Sequence, residues 1–433
     1  MTPHGPADLA RFVWREAVRR RLPHGLVHWR YLSLRPSEIL VRQRSLWLAS
    51  LPEVPRPLWV ILEAWLWLRW QLWSGPRSVW RHLRRAGPRV RAEEGMSLGR
   101  QAWRVSRLSL GYCIPAFEIF RYRLYSNAPA VTEYVYDHTL MAFHAQRNSA
   151  CHAASGSLRL LADKERQTAE LSELGVPVVP ILAVARRGSG EPLATHLSKD
   201  DTLFFKPRHG SGSRGAFAAH LDRGVVVAPL AGQELRDKQA AVYWARLLDD
   251  DDMIVQPRLG IHPEVADLAS GDDIVTVRYI SERHHAVEGL DSEMTCYCAT
   301  LELPAGRSAR GLRPVYVVLP VDPLAGRIGR LPAALLSAET AGNYDRVYAR
   351  LGDRVVPGWT TIRRQSHVAH GHFPGLHAIA WDWAITPAGP RLLEGNSGWG
   401  VAVPQLLHGG LLAARDRSGS VSLPDRPGID QRP

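Results

Sequence analysis

"AIAWDWAITPAGPRLLEGN", residues 378–396, decides how the rest of the chain is read. Two apolar, aromatic-rich runs flank "TPAGP", so the stretch is expected to be a β-hairpin turning near Ala388. That centre sets Asp382 directly opposite Glu394 on one face, with Cβ atoms about 5 Å apart. Asn396 lies two residues further along and shares the face. Directly opposed like charges destabilise a sheet unless something neutralises them. Two carboxylates and an amide oxygen are hard donors of the kind Mg²⁺ accepts, with phosphate oxygens completing its shell. The plainer reading is an exposed hairpin with incidental acids, and the apolar neighbours Ile379, Trp381, Ile385, Leu392 and Leu393 argue against it.

A second stretch, "LFFKPRHGSGSRGAF" at 203–217, points to phosphate. Lys206 closes an apolar strand, and Gly210, Ser211, Gly212, Ser213, Arg214 and Gly215 follow. Glycines let backbone N–H groups approach a polyphosphate closely, and hydroxyls and a guanidinium add donors. In a Walker A loop the lysine comes after the glycines and opens a helix; here it precedes them, and "AFAAH" beyond reads as another strand. A hairpin with a flexible tip is the alternative. "DIVTVRYIS" places Arg278 inside a β-branched strand, either paired to an acid at the edge of the core or clamping a phosphoryl group. "MIVQPRLGIHPEV" ends an apolar strand at Gln256-Pro257, a bend where backbone amides could meet an adenine edge.

The composition is that of a globular chain of 433 residues, with 45% hydrophobic and 22% charged residues, enough for two or three domains. Its net charge of +12 is unevenly spread: residues 1–110 hold 20 Arg, no Lys and 7 acids, about +13, so the remainder is close to neutral. Only four lysines occur, Lys164, Lys199, Lys206 and Lys238, against fifty arginines, so each is a candidate for a task that needs an ammonium. Cys296 and Cys298 lie in the strand-like "MTCYCATLEL", whose alternation would turn both thiols to one side. With Cys113 and Cys151 they are read as small buried residues of a reduced, cytoplasmic protein. "MTPHGPADLARF" has no signal-peptide layout, so secretion is not expected.

Residues 1–110 also carry ten of the fifteen tryptophans. "LWVILEAWLWLRWQLW", 58–73, reads as a helix bounded by Pro57 and by Ser74-Gly75-Pro76, and it is shorter than the ~20 residues a bilayer span needs. This helical Arg/Trp-rich region is expected to contact a membrane surface, peripherally at the inner face, or a partner, or the body of the chain. Nucleic acid is not the expected partner, because no recognisable reading element accompanies the arginines. From about 158 onward, helix and strand signals alternate. "LADKERQTAELSELG" and "ELRDKQAAVYWARLLDD" read as helices, and "VPVVPILAVA", "MIVQPRL", "EMTCYCATLEL" and "VYVVLPV" as strands. The tail 412–433 is polar and Pro/Gly-rich, and it is expected to be disordered.

Taken in order, "LADKERQ", "LFFKPRHGSGSRG", "MIVQPRLGIHPEV", "VTVRYIS", "AWDWAIT" and "RLLEGNSGWG" resemble the ATP-grasp superfamily. Within it they resemble the sugar-transfer-associated ATP-grasp group, similar to α-L-glutamate ligase-like proteins. The resemblance covers about 158–405. It implies an α+β fold in which two lobes hold ATP between them: a nucleotide lobe near 158–260 and a metal and catalytic lobe near 270–405, both within 111–410. By the same resemblance, Lys164 and Lys206 would contact the nucleotide phosphates, loop 210–215 would close over them, and Gln256 would lie in the adenine hinge. Arg278, with Lys206, would serve catalysis, and Asp382, Glu394 and Asn396 would hold Mg²⁺. Pro257 stands where many relatives carry an acid, so the ribose contact is not carried over. The implied activity is an ATP- and Mg²⁺-dependent, ADP-forming ligase. It would activate a carboxylate as an acyl phosphate and join it to an amine, in a polysaccharide or natural-product pathway. A phosphotransferase acting on a sugar-like acceptor and a non-catalytic, nucleotide-responsive scaffold are the alternatives. Deleting 1–110 is expected to alter membrane or partner association more than ATP binding.

Overall fold

The structure is a computed structural model and describes residues 6–149, 154–199, 201–210, 214–230, 233–269, 273–283, 294–307, 314–331 and 338–413. Ser211, Gly212 and Ser213 of the glycine loop, Cys151 and the tail from 414 lie outside the described residues. The chain is α+β, as expected, with two antiparallel sheets.

The first sheet contains β1 (Ala183–Ala185), β2 (Leu203–Pro207), β3 (Phe217–Asp222), β4 (Val225–Leu230), β5 (Gln233–Arg236) and β6 (Met253–Pro257), in the order β1-β6-β2-β3-β4-β5. Its core is aromatic: Phe205 stacks on Phe217, and Trp244 of the helix Lys238–Asp250 meets both edge-on. Two readings are corrected here. Of "VPVVPILAVA" only Ala183–Ala185 joins the sheet as a strand, because Pro177 and Pro180 have no N–H to give a ladder. "ELR" pairs within the edge strand β5, Asp237 precedes the helix, and the helix starts at Lys238.

The second sheet contains β7 (Thr276–Arg283), β8 (Met294–Arg307), β9 (Pro314–Val321), β10 (Ala378–Thr386) and β11 (Gly389–Asn396), ordered β11-β10-β7-β8-β9. One face buries Val277, Tyr279, Leu301, Leu319, Trp381 and Trp383 against the helices Ala338–Leu351 and Trp359–Gly371. Each tryptophan finds an acceptor: Trp381 Nε1 donates to Ser281 Oγ at 2.8 Å and Trp383 Nε1 to Ser366 Oγ at 2.9 Å. With both rings held on that face, the pleat turns Asp382 to the opposite one. There, Ile280, Cys298 and Ala380 pack against Leu46, Phe143 and Trp399, so N-terminal helices wall one end of the polar face. The cysteine reading also changes: a bulge in β8 opposite Ile280/Ser281 puts Cys298 with this second cluster and leaves Cys296 against the first.

In the N-terminal region, helices Arg56–Arg69 and Gly75–Glu94 are joined through a π-helical turn, Trp70–Ser74. The expected stop at Ser74-Gly75-Pro76 is absent. Gly75 N–H donates to Trp70 O, shifting the ladder just where Pro76 has no N–H to offer. A Cβ on Gly75 would lie 2.7 Å from Leu110, so glycine is required by the close approach of the helix Leu98–Tyr112. One buried cluster runs from Leu26 to Tyr136, spanning position 110. At the other end the chain stays packed through Leu412, whose N–H donates to Glu133 O at 2.8 Å. Among the described residues no helix is long and apolar enough to cross a membrane.

Candidate functional site

The hairpin register expected from sequence is the one observed: Asp382 faces Glu394, and Ala380 faces Asn396. A bulge after Asp382 lets the turn close on Pro387-Ala388 without moving the acids. On the other side of β10, Asp382 faces Arg278 of β7. Glu394, Asp382 and Arg278 thus form one row across three strands. Arg278 grips Asp382 with both arms of the guanidinium fork, Nε to Oδ1 at 2.8 Å and Nη2 to Oδ2 at 3.1 Å. Its remaining nitrogen, Nη1, lies 3.5 Å from Glu302 Oε1 on β8.

Two lysines approach the row, Lys206 from the first sheet and Lys164 from a helix that packs with Leu171 into the core of the second. Lys164 opens the helix Lys164–Glu173, which Asp163 caps by accepting from Arg166 N–H. Lys164 Nζ donates to Gly210 O at 2.7 Å and lies 3.9 Å from Glu394 Oε2. Lys206, at the end of β2, reaches across to donate to Leu393 O at 3.2 Å. Both are 8% exposed, an unusual placement for lysine. Burial lowers the Lys206 ammonium to about 8, with Lys164 adding to the shift and Glu394 opposing it. Burial also raises the Asp382 and Glu302 carboxyls above the ordinary range, with Arg278 pulling the other way. Those two carboxylates in turn hold the Arg278 guanidinium above its usual value despite its burial.

Around the lysines, the base of the glycine loop is tied down. Arg208 is bidentate to Asp163, at 2.9 and 2.6 Å, and also meets Glu165 at 2.7 Å and Asp252 at 3.2 Å. Gly210 and Gly215 have φ of 95° and 74°, a left-handed backbone that glycine adopts without strain. Arg214 is exposed to solvent. Gln256 shares the sheet face of Lys206, but its amide is buried and donates to Val179 O at 3.0 Å. The open space at this end is instead a cleft of about 640 Å³ beside the next residues, lined by Leu182, Thr202, Leu203, Pro257, Leu259 and Ile261 among others. The sequence-predicted residues Lys164, Lys206, Arg278, Asp382, Glu394 and Asn396 therefore come together, whereas the Gln256 amide is engaged by Val179 and Arg214 is exposed to solvent.

The donors suit Mg²⁺ in kind. Among the described residues no group of three or more His, Cys, Asp or Glu side chains is arranged to hold a metal ion. The candidate set is two carboxylates and one amide, which is also what hard-cation chemistry accepts. Asp382 and Glu394 retain lone pairs beyond those already used. Asn396 was expected to present its oxygen, whereas its Nδ2 donates to Asp382 Oδ2 at 3.3 Å and Glu394 Oε1 at 3.2 Å. With two anions alone to face, an amide turns its N–H groups toward them; a half-turn of the same group presents the oxygen.

Glu302 is the member that sequence reading missed. It sits across from Thr276, diagonal to Arg278, and its half-buried carboxylate, the side chain 15% exposed, adds a third acid to the row. The alternation of "ATLEL" in β8 is the only local signal that singles it out, and that signal does not say which strand lies alongside.

No family profile matches the chain, and no curated protein matches it. Solved structures similar to it include carboxyaminoimidazole ribonucleotide synthase from Aspergillus clavatus complexed with ATP, at 10% identity over 56% of this chain and 46% of that one, TM-score 0.30. N5-carboxyaminoimidazole synthetase from Staphylococcus aureus complexed with ADP is 12% identical over 55% and 45%, TM-score 0.30. D-alanyl-alanine synthetase A from Vibrio cholerae is 10% identical over 60% and 61%, TM-score 0.32. The chain spans under half the length of the first two.

Proposed function

We propose that this chain is an ATP-grasp ligase that uses ATP and Mg²⁺ to activate a carboxylate as an acyl phosphate and then joins it to an amine. The observation that carries the reading is the row Glu394–Asp382–Arg278 met by two buried lysines, Lys164 beside Glu394 and Lys206 reaching over from the first sheet. Anionic oxygens and cations converge there with no nucleophile beside them among the described residues. Ser281 Oγ does lie 2.7 Å from His370 Nδ1, but both residues are fully buried, out of reach of a substrate. A site of this composition suits phosphoryl transfer between substrates, where the protein supplies position and charge.

In the proposed reaction a carboxylate oxygen attacks the γ-phosphorus of ATP, and the bond to the β,γ-bridging oxygen breaks to release ADP. The amine then adds to the acyl carbon, loses a proton, and expels inorganic phosphate. Lys164 and Lys206 would hold the polyphosphate. Arg278 would offset charge on the phosphoryl group in flight and then on the tetrahedral carbon. Asp382, Glu394 and Asn396 would hold Mg²⁺, which offsets phosphate charge when bound. Loop 210–215 would close over the phosphates, and the cleft beside Pro257 and Leu259, lined by apolar side chains and by Asp201, Thr202 and Arg258, would take the adenine ring.

The test is ATP turnover with Mg²⁺ against carboxylic acids, each with and without amines, reading ADP, AMP and phosphate. ADP and phosphate that appear only when acid and amine are both present are expected. A phosphorylated product with no amine requirement would turn the assignment to a kinase. AMP with pyrophosphate would contradict it outright.

A further inference from the structure

The outward side of the rod that runs from Arg56 to Glu94 carries apolar side chains that stay largely exposed, even where the helix Pro6–Arg19 lies beside it and Trp65 Nε1 donates to Ala17 O at 3.1 Å. Leu62, Leu66 and Trp70 hold one stripe of the first helix against the protein. The other stripe, Ile61, Trp65, Leu68 and Leu72, repeats at i, i+4, i+7 and i+11 and is 44% to 71% exposed. Trp73 beside it is 66% exposed. Tryptophan is highly buried on average, and contiguous exposed apolar stripes of this kind mark contact surfaces. Past the π turn the same rod becomes basic. Residues 75–92 contain six arginines and no acid, with Arg77, Arg81, Arg84, Arg85 and Arg91 exposed. Arg84 lies 4.8 Å over the ring of Trp80, which is 60% exposed, and Arg107 lies 5.5 Å over that of Trp103, which is 61% exposed.

We infer that this face docks the protein on the surface of an anionic lipid bilayer. The apolar stripe would enter the boundary between headgroups and acyl chains, and the arginines would lie at the headgroup phosphates. Three observations select this occupant. The charge of the rod beyond the apolar stripe, over residues 75–92, has one sign, so a second copy of the chain laid along it would bring arginine against arginine. A ring with a guanidinium over it suits the headgroup level, where an apolar body and a charged head are both accommodated. An apolar helical stripe that leads into an unbroken basic one gives the two attractions, buried area and charge, that interfacial helices combine.

The full-length protein is tested by flotation with vesicles of phosphatidylcholine alone and of phosphatidylcholine with phosphatidylglycerol. Partition onto the mixed vesicles is expected to exceed that onto the neutral ones by about tenfold and to collapse in high salt. Trp65→Ser with Leu72→Ser should lower it about tenfold, and so should Arg81→Glu with Arg84→Glu and Arg85→Glu, with far-UV circular dichroism unchanged in both. Bromine-labelled lipids should quench the tryptophan fluorescence of the unmodified protein, which keeps the test independent of how the variants fold. Absent quenching, or binding that neither variant weakens, would overturn the proposal. So would a dimer in lipid-free solution that Trp65→Ser dissolves, since it would place a second copy on this face.

Discussion

Lys206 is the residue whose chemistry is most altered by its surroundings. Held near 8 by burial, it is partly neutral in the unliganded protein just above neutral pH. A lysine whose folded value lies below its unfolded one opposes folding while charged. That penalty is therefore present below about pH 8 and is relieved as pH rises toward the unfolded value. Phosphate binding demands the ammonium, so ATP binding is expected to take up a proton at pH above 8 and to leave proton balance unchanged near pH 6.5. Calorimetry in two buffers of different ionisation enthalpy reads this directly, and Lys206→Met should abolish the uptake. Arg278 is the second test at this scale. Arg278→Ala removes the guanidinium from the transferring group and leaves Asp382 and Glu302 unpaired. Turnover should fall about 10²- to 10³-fold, with ATP affinity changed much less. An equal loss in both would reassign the residue to nucleotide binding.

At the scale of elements, the hairpin β10–β11 is held from behind by the helix that carries Lys164. Gln167 of that helix accepts from Gly395 N–H at 3.1 Å, and Gly395 sits so close to Trp381 that an added Cβ would lie 2.5 Å from its ring. Gly395→Ala should therefore destabilise the fold by about 1–3 kcal/mol through overpacking, seen as a lower melting temperature. It should also reduce turnover, because the shift falls between Glu394 and Asn396. A variant as stable as the parent would mean the hairpin can move back freely. The elements also divide by how far they could be read ahead. β2, β3, β6, β7 and the hairpin follow from alternation and flanking turn residues. β5 was hidden inside a helix-like run, because four residues of edge strand carry too little pattern to separate from the helix behind them. The helix Trp359–Gly371 went unread, since its histidines and arginines mask the apolar spacing of Trp359, Ile362 and Ala369.

Across the whole molecule, the N-terminal helices are joined to the rest of the protein through shared core. Leu26, Val79, Val90 and Val105 pack with Ile114, Ile119 and Tyr136, and Leu46 packs under the polar face of the second sheet with Ile280 and Ala380. A cut at 110 would expose these surfaces. A chain beginning at 111 is expected to be insoluble or to lack a cooperative unfolding transition, as measured by circular dichroism. A folded, ATP-binding fragment would show instead that the lobes stand alone. Within the intact chain, the sequence by itself determined the hairpin with Asp382 opposite Glu394, the lysine before the glycine loop and the uneven placement of arginine and tryptophan. Each is a local property, set by side-chain period and turn chemistry over a few residues. Only the tertiary structure decided that Arg278 is bidentate to Asp382 from 104 residues away, that Glu302 joins them, and that Lys206 of the first sheet reaches the carbonyl of Leu393 in the second. Alternation fixes which face a side chain takes. It does not say which strands become neighbours, because that pairing is set by cores assembled from distant parts of the chain.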